Sequence, residues 1–355
     1  MLRNAQIAEI QGLESRTLFS ADVLQVAALH GQFGVQSAEL HVTAKHSSQA
    51  AAEAKAARIA ARQEALAEKK AAQQAAQTAK AAAKAAKQAA KHGAVTPTMP
   101  TTPSTPTEPT ALPEPAVTGG NFHYQSFSSD PLFAAGGPSE NDINQGDIGD
   151  CYFLATLSAV AKTDPNLIKN SITELSNGDF EVAFHRNGQT VDEVVDNALP
   201  VAGNGNLAYA QLGQGNCLWV AIMEKAFCAF GGNNSYNSIA GGWMDTAFEA
   251  LGAAPSDLLG APNGTALLSA IQGALNAGEA VTIAINQPED GAPVVGDHAY
   301  TVDSIATAAD GTLTLTVRNP WGFAGAGSDP TGSAYVTLTA QQAIDSMIGV
   351  VAAFV

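Results

Sequence analysis

Cationic residues are scarce in the last two thirds of this 355-residue chain. Residues 119–355 carry five Lys or Arg against 24 Asp or Glu, whereas residues 1–118 carry 12 against nine. Phosphate backbones are held by clustered Lys and Arg, so a nucleic-acid partner is excluded for the acidic part. The net charge of −16 suits a soluble monomer. Cysteine is rarer still: three residues supply no disulfide framework. Cys217 and Cys228 read as reduced core residues of one helix, ~16 Å apart at 1.5 Å per residue and too distant to bridge. No apolar run reaches the length of a membrane span. Asp22 interrupts the best apolar stretch near the start, so an ordinary secretory signal is not expected.

Composition divides what remains. Residues 13–24 read LESRTLFSADVL, which resembles the LEPR-type sorting motif near the start of large bacterial surface or exported proteins, with Ser15 where that motif usually has Pro. The resemblance implies export or association with the cell envelope, the alternative being the cytoplasm. Residues 48–93 are almost wholly Ala, Lys, Gln, Glu and Arg, strong helix formers closed by Gly93. Ile59 and Leu66 are the only large apolar residues there, so the helix lacks a coiled-coil seam. Lys80, Lys84, Lys87 and Lys91 share one face near its C-terminus, a solvated stripe that could touch an acidic wall polymer. Residues 94–118 are dense in Thr and Pro, an extended spacer.

From 119 to 355 the pattern is that of a folded domain. Residues 152–161 read as an apolar helix, Asn187-Gly188 as the turn of a hairpin, and LWVAIMEKAFCAF as a second helix with Glu224 and Lys225 turned to solvent. A Gly/Asn/Ser stretch at 230–243 suits a hinge between lobes of about 119–235 and 236–355. Short helices and the strands AVTIAIN, HAYTVDSI, TLTLTVRN and AYVTLT follow. Helices first and strands second make an α+β fold.

Cys151 stands at the edge of the first helix, between a Gly/Asp-rich turn and an apolar run. Cysteine attacks as the thiolate, which a helix N-terminus and a nearby cation favour. Asp147 and Asp150 oppose ionisation, so an imidazolium must come from elsewhere. Of seven histidines, four precede the domain, His123 lies at its edge and His185 beside Arg186. His298 remains, in GDHAYTVDSI. A hairpin turning at Ala309-Asp310-Gly311 sets Asn319 opposite His298, within a residue or two, where its amide would hold the imidazole tautomer. Gln145, with the Cys151 backbone N–H, would face a developing oxyanion, and Gly146 and Gly149 would let the turn approach a substrate.

QGDIGDCYFLATLSAV, DHAYTV and RNPWG, with VDNALP, LWVAIMEKAF and GGWMDTAFEALGA between them, resemble the signature blocks of the calpain-type cysteine protease core. The resemblance implies a papain-like fold of one helical and one antiparallel β lobe, acting on protein or peptide substrates. In it Cys151 is the nucleophile, His298 the general acid and base, Asn319 the orienting residue and Gln145 an oxyanion donor, with Trp321 shielding the His–Asn contact. Tyr152 stands where Trp is commoner. Cys217 and the loop FAGAGSDPTGS replace acidic positions associated in animal calpains with calcium, leaving Asp142 and Asp329 without obvious partners. No cofactor is expected, and calcium is not supported. The same residues could instead transfer an acyl group to an amine, or persist as an inactive interaction module of a bacterial envelope.

Overall fold

The computed structural model describes residues 112–117, 121–325 and 332–355. The sorting-like segment, the Ala/Lys-rich helix with its lysine stripe, most of the spacer and Asp329 lie outside the described residues. The elements are β1 (Phe122–Ser126), α1 (Cys151–Thr163), α2 (Pro165–Ser171), β2 (Ile172–Glu174), β3 (Phe180–Arg186), β4 (Gln189–Val195), β5 (Ala198–Ala202), α3 (Trp219–Phe230), α4 (Met244–Ala250), β6 (Ser256–Asp257), α5 (Gly264–Asn276), β7 (Ala280–Ile285), β8 (His298–Thr307), β9 (Leu313–Arg318), β10 (Tyr335–Thr339), α6 (Ala340–Ser346) and β11 (Met347–Ala353). Helices and antiparallel sheets are thus mixed, as the sequence pattern implies.

The boundaries have local causes. Pro165 disfavours helical geometry at Asp164, so α1 stops there. Asp164 then accepts from the Asn166 N–H and Pro165 opens α2, where a missing N–H costs nothing. Asn187 and Gly188 have φ of 54° and 73°, the left-handed pair that a two-residue hairpin between β3 and β4 needs.

One six-stranded sheet, ordered β10-β9-β8-β7-β11-β6, carries the second half of the domain. Its two faces differ in side-chain size. Ala280, Ala284 and Ala299 join the core built on α1 and α3, whereas Val281, Ile283, Ile285 and Tyr300 join a second core under α5 and α6. Small side chains let α1 lie close against β7 and β8, and the Thr301 hydroxyl donates to the Ala155 carbonyl at 2.7 Å. Alternation of period two along β7 therefore separates the two cores. The strand β11, between β7 and β6, was not among the expected strands. Its sequence MIGVVAA is apolar throughout because both faces are covered, so it lacks the alternation that marks a half-exposed strand.

The first core runs past the Gly/Asn/Ser stretch: Tyr236, Ile239, Met244, Phe248 and Leu251 all pack into it. It also receives the chain ahead of β1. Ala116 N–H donates to the Asn234 carbonyl at 2.8 Å and the Tyr124 hydroxyl to the Pro115 carbonyl at 2.5 Å.

Two expectations for α3 are corrected. Cys217 lies ahead of the helix, closing the 3-10 turn Gln214–Asn216, although it and Cys228 are both buried free thiols. Glu224 and Lys225 do not face solvent; they are 1% and 2% exposed. The apolar face of α3 is broad, and Val220, Ala221 and Cys228 continue it around the helix, so packing covers the polar pair too. The Lys225 ammonium is satisfied by Glu114 and Asp196, each at 2.6 Å, and by the Ala198 carbonyl.

Candidate active site

Cys151 is the first residue of α1, so its backbone N–H belongs to the helix-start amides that have no intrahelical acceptor. It is half-buried and lines two adjoining depressions of about 320 and 560 Å³. Both depressions also share Gly149, Asp297 and His298. Gln145 and Trp321 border the larger one; Tyr152 and Met244 border the smaller.

His298 begins β8, paired with Ile285 of β7, and is buried. Its Nε2 lies 2.9 Å from Oδ1 of Asn319. The expected hairpin is present with a shifted register. The turn closes between Ala308 and Thr312, around the expected Ala309-Asp310-Gly311, but the ladder slips at a bulge near Val302 and pairs Thr301 with Arg318. Asn319 lies one residue beyond the ladder's end, and its side chain reaches His298 from there.

The Asn319 amide is oriented by its other bonds. Its Nδ2 donates to the Ala324 carbonyl at 2.9 Å, and its Oδ1 accepts from the Trp321 N–H at 3.0 Å. Oδ1 is therefore the atom facing His298, and only an imidazole carrying hydrogen on Nε2 can donate to it. Nδ1 is left as the basic lone pair. The Trp321 ring lies 4.6 Å from the imidazole, centroid to centroid. Gly325, at φ +80°, sits where a Cβ would meet that ring at 2.7 Å, so only glycine lets the chain pass behind the tryptophan.

Gln145 is held by two segments, the one following β9 and its own turn. Its backbone N–H donates to the Pro320 carbonyl at 2.8 Å, and its side-chain Nε2 donates to the Ile148 carbonyl at 2.6 Å. An amide nitrogen carries two hydrogens, and the Gln145 side chain is also in hydrogen-bonding contact with the Asp150 carboxylate. Gly146 packs against protein: a Cβ there would meet the Tyr209 carbonyl oxygen at 2.2 Å. Gly149 has open space around the same point and borders both depressions.

The electrostatics hold sulfur and imidazole uncharged. Burial pushes the Cys151 thiol up to about 11, and the neighbouring Asp150 carboxylate adds to the shift against the pull of the Ala299 N–H. Burial holds the His298 pKa below the ordinary imidazole value, with the Asn319 bond opposing. Among the described residues, no hydrogen bond joins the Cys151 thiol to His298.

Asp142, left without obvious partners by the sequence, is 1% exposed. Its oxygens accept from the N–H groups of Ser139 and Gln214 at 2.9 Å and from the Trp219 indole at 2.7 Å. A carboxylate saturated by N–H donors does not fit a cation, which needs its lone pairs.

Sequence reasoning missed two features beside the site. Asp297, next to His298, is exposed with a left-handed φ of 50°, unusual for a residue with a Cβ. Asp150 and Glu224 form a buried acidic pair; a polar residue inside a helix as apolar as α3 was the available signal.

The sequence model of the calpain family of cysteine proteases matches residues 123–335. Mouse calpain-8 is 33% identical over 221 residues, covering 57% of this chain and 31% of the mouse protein. The chicken calpain-2 catalytic subunit is 30% identical over 210 residues, 54% of this chain and 29% of its own; the human calpain-2 catalytic subunit is 31% identical over 211 residues, 55% and 30%. The matched stretch thus spans less than a third of these relatives. The chain belongs to the calpain family of cysteine proteases.

Proposed function

We propose that the described domain is a papain-like cysteine endopeptidase acting on protein or peptide substrates as a monomer. Cys151 attacks the scissile carbonyl, His298 Nδ1 takes the thiol proton and returns it to the leaving amine, and Asn319 fixes the ring. Gln145 Nε2 and the Cys151 N–H receive the oxyanion. The observation that carries this reading is the Asn319 amide, whose bonds to Ala324 and Trp321 leave Oδ1 for His298 Nε2 and so free Nδ1 in a depression shared with the thiol. The pair is at rest as an uncharged thiol and imidazole; attack requires the sulfur and Nδ1 to come into hydrogen-bond contact and exchange the proton.

A peptide carrying a thiol-reactive warhead is expected to label Cys151 alone, since Cys217 and Cys228 are buried. Mass spectrometry of the digested adduct reads the site. Labelling that is absent at Cys151, with a folded protein and no peptide hydrolysis, would remove the reading in favour of an inactive binding module.

Hydrolysis is proposed to be independent of calcium, on the ground that Asp142 is saturated by N–H donors and Cys217 offers no carboxylate. A chelator at fixed pH and ionic strength is expected to leave the rate unchanged. Loss of activity in chelator, restored by micromolar to millimolar Ca²⁺, would contradict this. The resemblance of residues 13–24 to a sorting motif supports export, and the spacing of Lys80, Lys84, Lys87 and Lys91 in the sequence an envelope contact; fractionation that finds the chain only in the cytosol would remove both.

A further inference from the structure

Asp150 immediately precedes Cys151 and occupies the N-cap position of α1, yet it makes no capping hydrogen bond. Aspartate at that position ordinarily accepts an N–H of the first turn. Here the side chain turns inward: the residue is 0% exposed, and no donor of full hydrogen-bond geometry reaches either oxygen. What it meets instead are the Glu224 carboxyl of α3 and the Gln145 side chain, both in hydrogen-bonding contact. Glu224 is 1% exposed, and both of its oxygens lie near the Ala210 N–H, at 3.2 and 3.0 Å.

Two ionised carboxylates in contact and away from water repel strongly, with neither a cation nor hydration to offset the repulsion. One proton between them removes the conflict. The Glu224 hydroxyl then donates to Asp150 while its other oxygen accepts from Ala210. We propose that Asp150 and Glu224 hold a single shared proton, so that the pair confronts the Cys151 sulfur with one negative charge and thereby sets the acidity of that thiol.

Burial and mutual repulsion act in the required direction. Asp150 is raised to about 7 by burial, against the Glu224 bond, and Glu224 is raised well above the ordinary carboxyl range by burial and then by Asp150. The other ionisable groups facing the pair are Cys151 and Tyr152 from α1, Cys228 from α3 and Tyr236 from the following turn, all of them raised by burial. Lys225, the adjacent cation, is committed to Glu114 and Asp196. None of these supplies a positive charge to replace the proton. The pair also joins structural parts. Glu224 grips Ala210, whose neighbours bind the Gln145 turn through Gln211 N–H to the Asn144 carbonyl and Asp147 N–H to the Ala208 carbonyl, both at 2.9 Å.

The inference rests on Cys151 being the reactive thiol, but its test needs no turnover. The rate of alkylation of Cys151 by iodoacetamide, followed by peptide mass against pH, reports thiolate formation directly. Asp150→Asn keeps the shape and removes the charge, so the profile is expected to shift down by about one pH unit, with alkylation about tenfold faster at mildly alkaline pH. Glu224→Gln replaces a group already neutral, so its profile should stay where the wild type's is. If both carboxyls were ionised, Glu224→Gln would shift the profile down as far as Asp150→Asn, and the shared proton would be excluded. If neither variant moved it, the pair would not act on the thiol. Should either variant fail to fold, the wild type still decides. Its infrared spectrum at neutral pH is expected to contain the carbonyl stretch of a protonated carboxylic acid, and absence of that band would overturn the proposal. A chain that hydrolyses no peptide yet shows these profiles would separate failure of the protease reading from failure of this one.

Discussion

Cys151→Ala is expected to reduce peptide hydrolysis to background, a loss on the order of 10⁴-fold or more, and His298→Ala to do the same. The double variant should be no slower than either single one. The reason is that nucleophile and base act as one unit: without the sulfur there is nothing for Nδ1 to deprotonate, and without Nδ1 the thiol, held up near 11 by burial, stays protonated. The fold should survive both changes. Cys151 is half-buried at a helix start, and on removal of the imidazole the Asn319 Oδ1 keeps its bond from the Trp321 N–H. Turnover measured alongside thermal unfolding separates the two effects. Wild-type turnover in a folded Cys151→Ala protein would end the proposal that this thiol is the nucleophile.

Gln145→Ala should lower kcat by ~10²- to 10³-fold with little change in KM, because an oxyanion donor acts on charge that develops only in the transition state. The substitution isolates the side chain. The backbone bond from Gln145 N–H to Pro320 persists, and losing the side-chain bond to the Ile148 carbonyl costs stability of only about 1 kcal/mol. A rise in KM at constant kcat would instead assign Gln145 to ground-state binding. A fall in melting temperature that accounted for the lost activity would assign it to holding the turn.

Much of this arrangement is written in short-range pattern. Cys151 opens a helix because a Gly/Asp-rich turn meets an apolar run there, and that junction is local. The approach of Asn319 to His298 was legible within two residues, since a hairpin converts sequence separation into spatial proximity; the turn closes at the expected residues, and only the register, which slips at the bulge near Val302, differs. The strands β7 to β10 announced themselves by β-branched content and turn residues, whereas β11 did not, being apolar on both faces.

Tertiary packing decided what happens to polar groups whose partners are remote in sequence. Glu224 and Lys225 look like a solvated stripe of a helix until β1, β5 and the segment at 112–117 close over that side and turn one toward Asp150 and the other toward Glu114 and Asp196. Asp142 looks like a free carboxylate until Gln214 and Trp219, more than 70 residues away, point their N–H groups at it. The sequence by itself determined which elements form and which residues could react, because helix starts, turns and alternation depend on neighbours a few positions away. Only the tertiary structure decided which charges are buried and where protons reside, since desolvation depends on what packs around a group, and that no local pattern records.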